Sequence, residues 1–187
     1  STSASIAGFD AYTPHISEGI DAVARNEFLC VRAGATDLVQ PQSAFIHGIA
    51  LLPPDIAEMA TDGTALIWSP RSNITLYGDT ARVTEFARLG VSIALGTDWT
   101  PTGSMNMLSE LQCADELNAV YYDGFFTDEQ LWLMATRDAA AALAVDDVIG
   151  TIAVGKVADL AIFDARIQTD HRAVIDAEPA AVMLVLR

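Results

Sequence analysis

The chain has 187 residues, of which 51% are hydrophobic and 19% are charged, and this balance excludes a disordered polypeptide. Its formal net charge of −15 disfavours nucleic acid and anionic membranes as partners, because phosphate groups are bound by lysine and arginine. No apolar run approaches the roughly 18 residues that a membrane-spanning helix requires.

Short apolar runs alternate with longer amphipathic stretches through most of the chain, a pattern that predicts βα units and a parallel sheet. Pro53 and Pro54 suit the first turn of a helix, and Gly90 suits a helix end. The predicted elements in chain order are a strand near 6–12, a helix at 17–33, a strand at 43–46, a helix at 55–60, a strand at 64–68, a loop at 69–73, a helix at 80–89, a strand at 91–95, and helices at 105–121 and 127–144.

The pattern changes after Ile149. Two further strands are predicted at 158–163 and 181–186, and no helical period is visible between them. We therefore expect residues 1–148 to form one α/β unit and residues 149–187 to belong to a second, more β-rich unit.

Three chemically capable side chains follow predicted strands, namely His15, His47 and Asp98. In parallel α/β proteins the loops at the carboxyl ends of the strands build the active site, so these residues are expected to converge. Imidazole and carboxylate groups are suitable ligands for a divalent metal, and nitrogen and oxygen ligands of this kind suit zinc, iron and manganese.

Each of these residues also has a purely structural interpretation. His15 and Glu18 lie three residues apart, which would place them on one face of a helix, but Glu18 could simply be an acidic residue of a first helical turn. His47 could be a partly buried histidine, and Asp98 could be a turn or helix-capping residue.

Taken together, several segments resemble the amidohydrolase superfamily, and in particular its cytosine-deaminase and chlorohydrolase-like branch. The resemblance covers nearly the whole chain, and its motifs occur in the family's order. The matching segments are Pro14-His15-Ile16-Ser17-Glu18-Gly19, Phe45-Ile46-His47-Gly48, Ser69-Pro70-Arg71-Ser72-Asn73, Leu95-Gly96-Thr97-Asp98, and a return segment that runs from residue 149 to 164.

The resemblance implies the C-terminal half of a (β/α)8 barrel, strands five to eight, followed by part of a small β-sandwich. It implies that His15 and Asp98 are metal ligands and that Glu18 moves protons between water and substrate. His47 would hold the hydrolytic water or the substrate, or join the metal site, and Asp98 would also accept a proton from the water.

The resemblance further implies that the loop at 69–73 lines the substrate pocket, with Trp68, Ser69 and Asn73 as substrate-binding residues. The implied activity is metal-dependent hydrolysis of a carbon–nitrogen bond in a small molecule, either deamination of a heterocycle or cleavage of a cyclic or linear amide. Zinc would supply the activated water, because it lowers the pKa of bound water towards about 7.

One departure from the family pattern concerns the His-x-His pair that follows the first barrel strand. The chain has three histidines, His15, His47 and His171, and no His-x-His. Strands one to four are also missing, so we expect a fragment of a longer, cytoplasmic protein, with a preceding signal left open. A half barrel has open sheet edges, which favours self-association or pairing with the missing N-terminal half.

Two other functions remain open at this point. A non-catalytic relative could keep the barrel as a scaffold or assembly subunit, without bound metal. An unrelated α/β domain could bind an anion at its strand ends, although the chain has no glycine-rich phosphate loop.

Overall fold

Four short parallel strands lie side by side in chain order and form the central sheet. The computed structural model describes all residues 1–187. Consecutive strands pair in parallel, with Ile46 opposite Ile67 and Ile67 opposite Ala94. The carboxyl ends of all four strands therefore face the same edge of the sheet. The strands are β1 at His15–Ile16, β2 at Ala44–His47, β3 at Ala65–Trp68 and β4 at Ile93–Leu95.

Helices connect the strands and cover the sheet. They are α1 at Ser3–Ile6, α2 at Ala22–Cys30, α3 at Pro53–Asp62, α4 at Pro70–Tyr77, α5 at Val83–Leu89, α6 at Met107–Tyr121, α7 at Asp128–Met134, α8 at Arg137–Ala142 and α9 at Arg172–Ile175. None of them combines the length and the hydropathy that a membrane crossing requires.

The strands are buried because parallel sheets carry helices on their faces. Phe45 of β2 and Phe28 of α2 are fully buried and meet edge to face, with ring centroids 6.2 Å apart. Trp68 of β3 and Phe86 of α5 belong to the same core. Burial of each such aromatic side chain contributes about 2–3 kcal/mol, so this shared core holds the strand ends in fixed positions.

The central α/β alternation agrees with the sequence prediction, but the N-terminal elements differ. The strand predicted near 6–12 is absent apart from a single bridge between Tyr12 and Ser43, and the first strand is β1 at His15–Ile16. Residues 3–6 form a helical turn, which Thr2 stabilises with a capping box. The next helix begins at Ala22 rather than at residue 17, because Asp21 is its N-cap and accepts from the backbone N–H groups of Val23 and Ala24.

Residues 70–77 form helix α4 where the sequence analysis predicted a loop. Pro70 occupies its first turn, where a missing N–H group carries no penalty. The predicted helix at 127–144 is two helices, α7 and α8, because Thr136 between them has a non-helical backbone.

The C-terminal segment carries its own two-stranded antiparallel sheet, made of β5 at Leu160–Phe163 and β6 at Val182–Leu186. Helix α9 lies between these strands, in a stretch where no helix was predicted. Arg172 of α9 forms ion pairs with Asp115 of α6 and Asp128 of α7. These contacts attach the segment to the helices of the central unit.

Candidate active site and metal centre

The predicted site residues meet at the carboxyl edge of the central sheet. Three residues there, Ser17, His47 and Asp98, have positive φ angles of 56°, 76° and 55°. Non-glycine residues rarely adopt this left-handed conformation, and such strain is concentrated at functional sites. The backbone thus turns sharply at or just after the carboxyl ends of β1, β2 and β4.

His47 lies between two carboxylates. Its Nε2 atom is 3.6 Å from Glu18 Oε2 and 3.9 Å from Asp98 Oδ2. His15 Nε2 is 4.0 Å from Asp98 Oδ1, and the ring centroids of His15 and His47 are 5.1 Å apart. The structure thus brings together all four residues that were predicted to bind metal or move protons.

Exposure differs strongly among these four side chains. The side chains of His47 and Asp98 are 1% and 12% exposed, whereas those of Glu18 and His15 are 29% and 56% exposed. The site is therefore closed on the His47 side and open on the His15 side. His15 belongs to β1, the strand at one edge of the sheet.

The two ring nitrogens of His47 have different surroundings. Nδ1 lies 2.8 Å from Asn73 Oδ1 in a buried hydrogen bond. Nε2 is buried and has no hydrogen-bond partner. A buried polar atom without a partner is costly, which points to a ligand at this position.

The donor set fits a divalent metal. One ligand atom each from His15, His47 and Asp98 lies within 4.8 Å of the others. Ligand atoms around a tetrahedral zinc ion lie roughly 3–4 Å apart, so a small inward adjustment would bring the three to coordination distance. Two imidazoles and a carboxylate are also the ligand types that zinc accepts.

Helix α4 supplies a hydrogen-bond partner to three of the site residues. Ser72 Oγ donates to Asp98 Oδ2, and Asn73 Oδ1 faces His47 Nδ1. Tyr77 donates through its hydroxyl to Glu18 Oε1 at 3.1 Å. One helix therefore orients groups that come from three different strand ends.

Burial raises the pKa of the Tyr77 phenol, and its hydrogen bond to Glu18 raises that pKa further. The phenol consequently keeps its proton at neutral pH and acts as a donor. Glu18 Oε1 accepts this bond, whereas Glu18 Oε2 faces His47 Nε2 at 3.6 Å.

The three residues predicted to bind substrate are buried. Trp68 and Asn73 are 0% exposed, and Ser69 is 1% exposed. The Trp68 ring belongs to the core, where it packs edge to face against Tyr122 with ring centroids 6.3 Å apart. Trp68 is thus not an open pocket wall in this structure, and substrate contact by the three residues stays a prediction.

Tyr77 and Thr80 were not predicted as site residues, and Ser72 was predicted only as part of the loop at 69–73 that lines the pocket. Thr80 accepts hydrogen bonds from Asn73 Nδ2 at 3.1 Å and from Trp68 Nε1 at 2.7 Å. The sequence feature that could have indicated helix α4 is Pro70, because proline just after a strand is typical of the first turn of a helix. A helix there would have placed residues 73 and 77 on one face.

The amidohydrolase family model matches residues 5–184. A 5-methylthioadenosine/S-adenosylhomocysteine deaminase from Clostridium tetani is 28% identical over 158 residues, which cover 80% of this chain and 37% of that protein. An adenosine deaminase from Xanthomonas campestris, solved with bound zinc, is 25% identical with a TM-score of 0.80, and the match covers 94% of this chain and 44% of that one.

The fold also matches atrazine chlorohydrolase TrzN from Arthrobacter aurescens TC1, solved with zinc. The TM-score is 0.77 at 18% identity, and the match covers 98% of this chain and 44% of that one. The chain thus spans less than half the length of these proteins. Because the family model matches almost the entire sequence, the chain belongs to the amidohydrolase family.

Proposed function

We propose that this chain contributes metal-binding and proton-transferring residues to a zinc-dependent hydrolase that acts on carbon–nitrogen bonds. The observation that carries the proposal is the buried Nε2 atom of His47, which has no hydrogen-bond partner and faces the carboxylates of Glu18 and Asp98. An imidazole lone pair between two carboxylates is suited to holding water or a metal ion and to moving protons.

His15 and Asp98 would hold the metal, and His47 is close enough to join them. When bound, a divalent metal supplies Lewis-acid activation of water at neutral pH. Iron or manganese would suit the same nitrogen and oxygen ligands, but zinc is favoured because the solved relatives named above contain it.

The remaining chemistry belongs to the protein side chains. Water, held by His47 and Asp98, attacks the ring carbon that carries the amino group. A carbon–oxygen bond forms, Asp98 accepts the proton that the water loses, the carbon–nitrogen double bond of the ring opens, and the adjacent ring nitrogen takes a proton from Glu18. Glu18 then carries the proton of the new hydroxyl group to the amino nitrogen, so that a carbonyl group forms, the carbon–nitrogen bond breaks and ammonia leaves, and the proton on Asp98 returns to Glu18. Tyr77 keeps the Glu18 carboxyl group in place during both transfers.

Deamination of an adenine-type ring is favoured over amide hydrolysis, because the relatives include 5-methylthioadenosine/S-adenosylhomocysteine deaminases and an adenosine deaminase. Trp68, Ser69 and Asn73 remain candidates for the substrate side of the site. Their burial favours indirect support of the site over direct contact.

The architecture is proposed as strands five to eight of a (β/α)8 barrel over residues 1–148, with residues 149–187 completing a small β-sandwich. Support comes from the open sheet edges at β1 and β4 and from the separate sheet of β5 and β6. The other barrel strands would come from polypeptide outside this sequence or from a second chain. Open edges of this kind favour pairing.

The proposal is tested by measuring metal content with plasma mass spectrometry. We expect about one zinc per chain, lost in a His15→Ala, Asp98→Ala double variant and retained in His171→Ala, since His171 packs against Trp132 instead. A well-folded chain that binds no metal would contradict metal binding by these residues alone. Ammonia release from adenosine by the complete protein would then separate an incomplete site from a non-catalytic scaffold.

A further inference from the structure

The side chains behind His47 form a buried hydrogen-bonded series. Trp68 Nε1 donates to Thr80 Oγ1 at 2.7 Å, and Asn73 Nδ2 donates to the same oxygen at 3.1 Å. Asn73 Oδ1 then lies 2.8 Å from His47 Nδ1. Trp68, Asn73 and His47 are all 0% exposed, and Thr80 is 8% exposed, so bulk water does not compete for these bonds.

The Trp68 indole determines which atoms donate and which accept in this series of hydrogen bonds. An indole nitrogen can only donate, so Thr80 Oγ1 must accept from it. Thr80 Oγ1 has a second lone pair, which takes the amide hydrogen of Asn73. With its nitrogen committed to Thr80, Asn73 presents its oxygen to His47.

An amide oxygen can only accept, so the His47 Nδ1 atom that faces it carries the proton. In a neutral imidazole the other nitrogen then bears a lone pair. For His47 that nitrogen is Nε2, the buried atom that faces Glu18 and Asp98 without a hydrogen-bond partner.

We propose that Asn73, Thr80 and Trp68 are positioning residues that hold His47 in the Nδ1–H tautomer and so direct its Nε2 lone pair into the site. His47 then serves as an acceptor, towards a metal ion or a water hydrogen, and not as a hydrogen-bond donor. What this lone pair binds rests on the proposed function. The tautomer itself rests only on the hydrogen bonds.

The opposite arrangement is chemically possible and provides the contrast. If the Asn73 amide were reversed, the Thr80 hydroxyl would donate to Asn73, and the Asn73 amide hydrogen would point at His47 Nδ1. The His47 proton would then lie on Nε2, between the two carboxylates. The two arrangements differ in the position of one proton, which nuclear magnetic resonance detects.

The first experiment uses the 187-residue chain labelled with ¹⁵N, freed of metal with a chelator and held at pH 8, above the usual histidine pKa of about 6.5. Long-range ¹H–¹⁵N correlation spectra distinguish protonated from unprotonated ring nitrogens. With three histidines in the chain, His15→Gln and His171→Gln variants assign the signals. We expect Nδ1 of His47 to be protonated in at least roughly a tenfold excess. A protonated Nε2 would overturn the proposal.

The second experiment tests the positioning residues with matched variants. Asn73→Leu should remove most of the tautomer preference, whereas Asn73→Asp should retain it, because a carboxylate still accepts from Nδ1 and the Thr80 hydroxyl can donate to it. Thr80→Val should weaken the preference. Thr75→Ala is the control, because Thr75 lies exposed on the same helix and its hydroxyl donates to the Arg71 carbonyl and not to a site residue.

A tautomer preference that survives Asn73→Leu, or one that Thr75→Ala disturbs equally, would overturn the positioning role of Asn73, Thr80 and Trp68. Unfolding in urea identifies any variant that is not folded. If a variant does not fold, the wild-type spectrum alone still determines the tautomer of His47. Neither experiment requires metal or substrate, so a chain that binds no zinc or a protein without deaminase activity leaves this result unaffected.

Discussion

The hydroxyl of Tyr77 donates a 3.1 Å hydrogen bond to Glu18 Oε1, and so links helix α4 to the loop after β1 across 59 residues of sequence. Glu18 is the proposed proton-transferring group, and its other oxygen faces His47 at 3.6 Å. Tyr77 therefore occupies one carboxylate oxygen and leaves the other on the His47 side. A carboxyl group held in the productive orientation transfers protons faster, because it does not first have to rotate into that orientation.

Replacement of Tyr77 by phenylalanine should therefore impair catalysis more than stability. We expect kcat for deamination by the complete protein to fall roughly tenfold with KM little changed, because Glu18 loses orientation and not substrate affinity. The free energy of unfolding should change by about 1 kcal/mol or less. Steady-state kinetics and urea unfolding measure the two effects.

Tyr121→Phe is the matched control, because Tyr121 is 71% exposed on α6 and should change neither quantity. An unchanged kcat in Tyr77→Phe would contradict the positioning role of the phenol.

A buried carboxylate, that of Asp55, connects α3 to α2. Its Oδ2 accepts from Leu52 N–H at 3.0 Å and from Arg25 Nε at 2.7 Å, and Asp55 is 0% exposed. Burial by itself raises the pKa of Asp55, but the hydrogen bonds from Arg25 and Leu52 outweigh this effect and lower it. The folded state thus binds the Asp55 proton more weakly than the unfolded state does.

Asp55→Asn should lower the free energy of unfolding at pH 7 by about 2 kcal/mol, a moderate value because Arg25 remains partly exposed to water. A depressed pKa stabilises the fold above the unfolded value of about 3.9, and this contribution is lost as the pH falls through the folded pKa. The difference between wild type and variant should therefore shrink at pH 3. Urea unfolding at the two pH values measures it.

Asp62→Asn, an exposed position on the same helix, serves as the control and should show no such pH-dependent loss. An equal difference for Asp55→Asn at pH 7 and pH 3 would argue against a stabilising charged pair.

Sequence patterns were sufficient to place the second, third and fourth strands and to bring His15, Glu18, His47 and Asp98 to one edge, whereas the first strand was predicted too early, near 6–12. The reason is that apolar strands and the residues that follow them are local features. The partners of these residues were not predictable in the same way. Ser72 and Tyr77 reach groups that are 26 and 59 residues away, and such contacts depend on how α4 packs against the sheet.

Trp68 illustrates the same limit. An aromatic residue at a strand end is compatible with a pocket wall and with a core position, and only packing decides between them. In the fold the ring is enclosed by the core, and its N–H group is directed to Thr80. The polar function of Trp68 therefore lies behind the site and not on its surface.

The N-terminus of helix α4 is capped by a buried carboxylate from helix α6. Ser69, the N-cap residue, makes no side-chain capping bond, and Glu110 Oε1 of α6 accepts from Arg71 N–H at 3.1 Å in its place. Glu110 is 0% exposed, and its Oε2 has no hydrogen-bond partner. Burial raises the pKa of Glu110, with smaller opposing effects from its hydrogen bonds.

Glu110→Gln should retain the cap and remove the pH dependence of this group. A carboxyl group with a raised folded pKa stabilises the fold below its unfolded value of about 4.3, and this contribution is lost as the pH rises through the folded pKa. Wild type should therefore lose stability relative to Glu110→Gln between pH 4.5 and pH 7.5, as measured by urea unfolding at both values.

Glu110→Ala distinguishes the cap from the charge. This variant should lower the free energy of unfolding by at least about 1 kcal/mol at both pH values, because Arg71 N–H loses its acceptor and a cavity remains. The difference in free energy of unfolding between wild type and Glu110→Gln could also stay constant with pH. That result would mean that Glu110 has the same proton affinity in the folded and unfolded chains. Its buried position argues for a higher affinity in the folded chain, because desolvation disfavours the charged carboxylate.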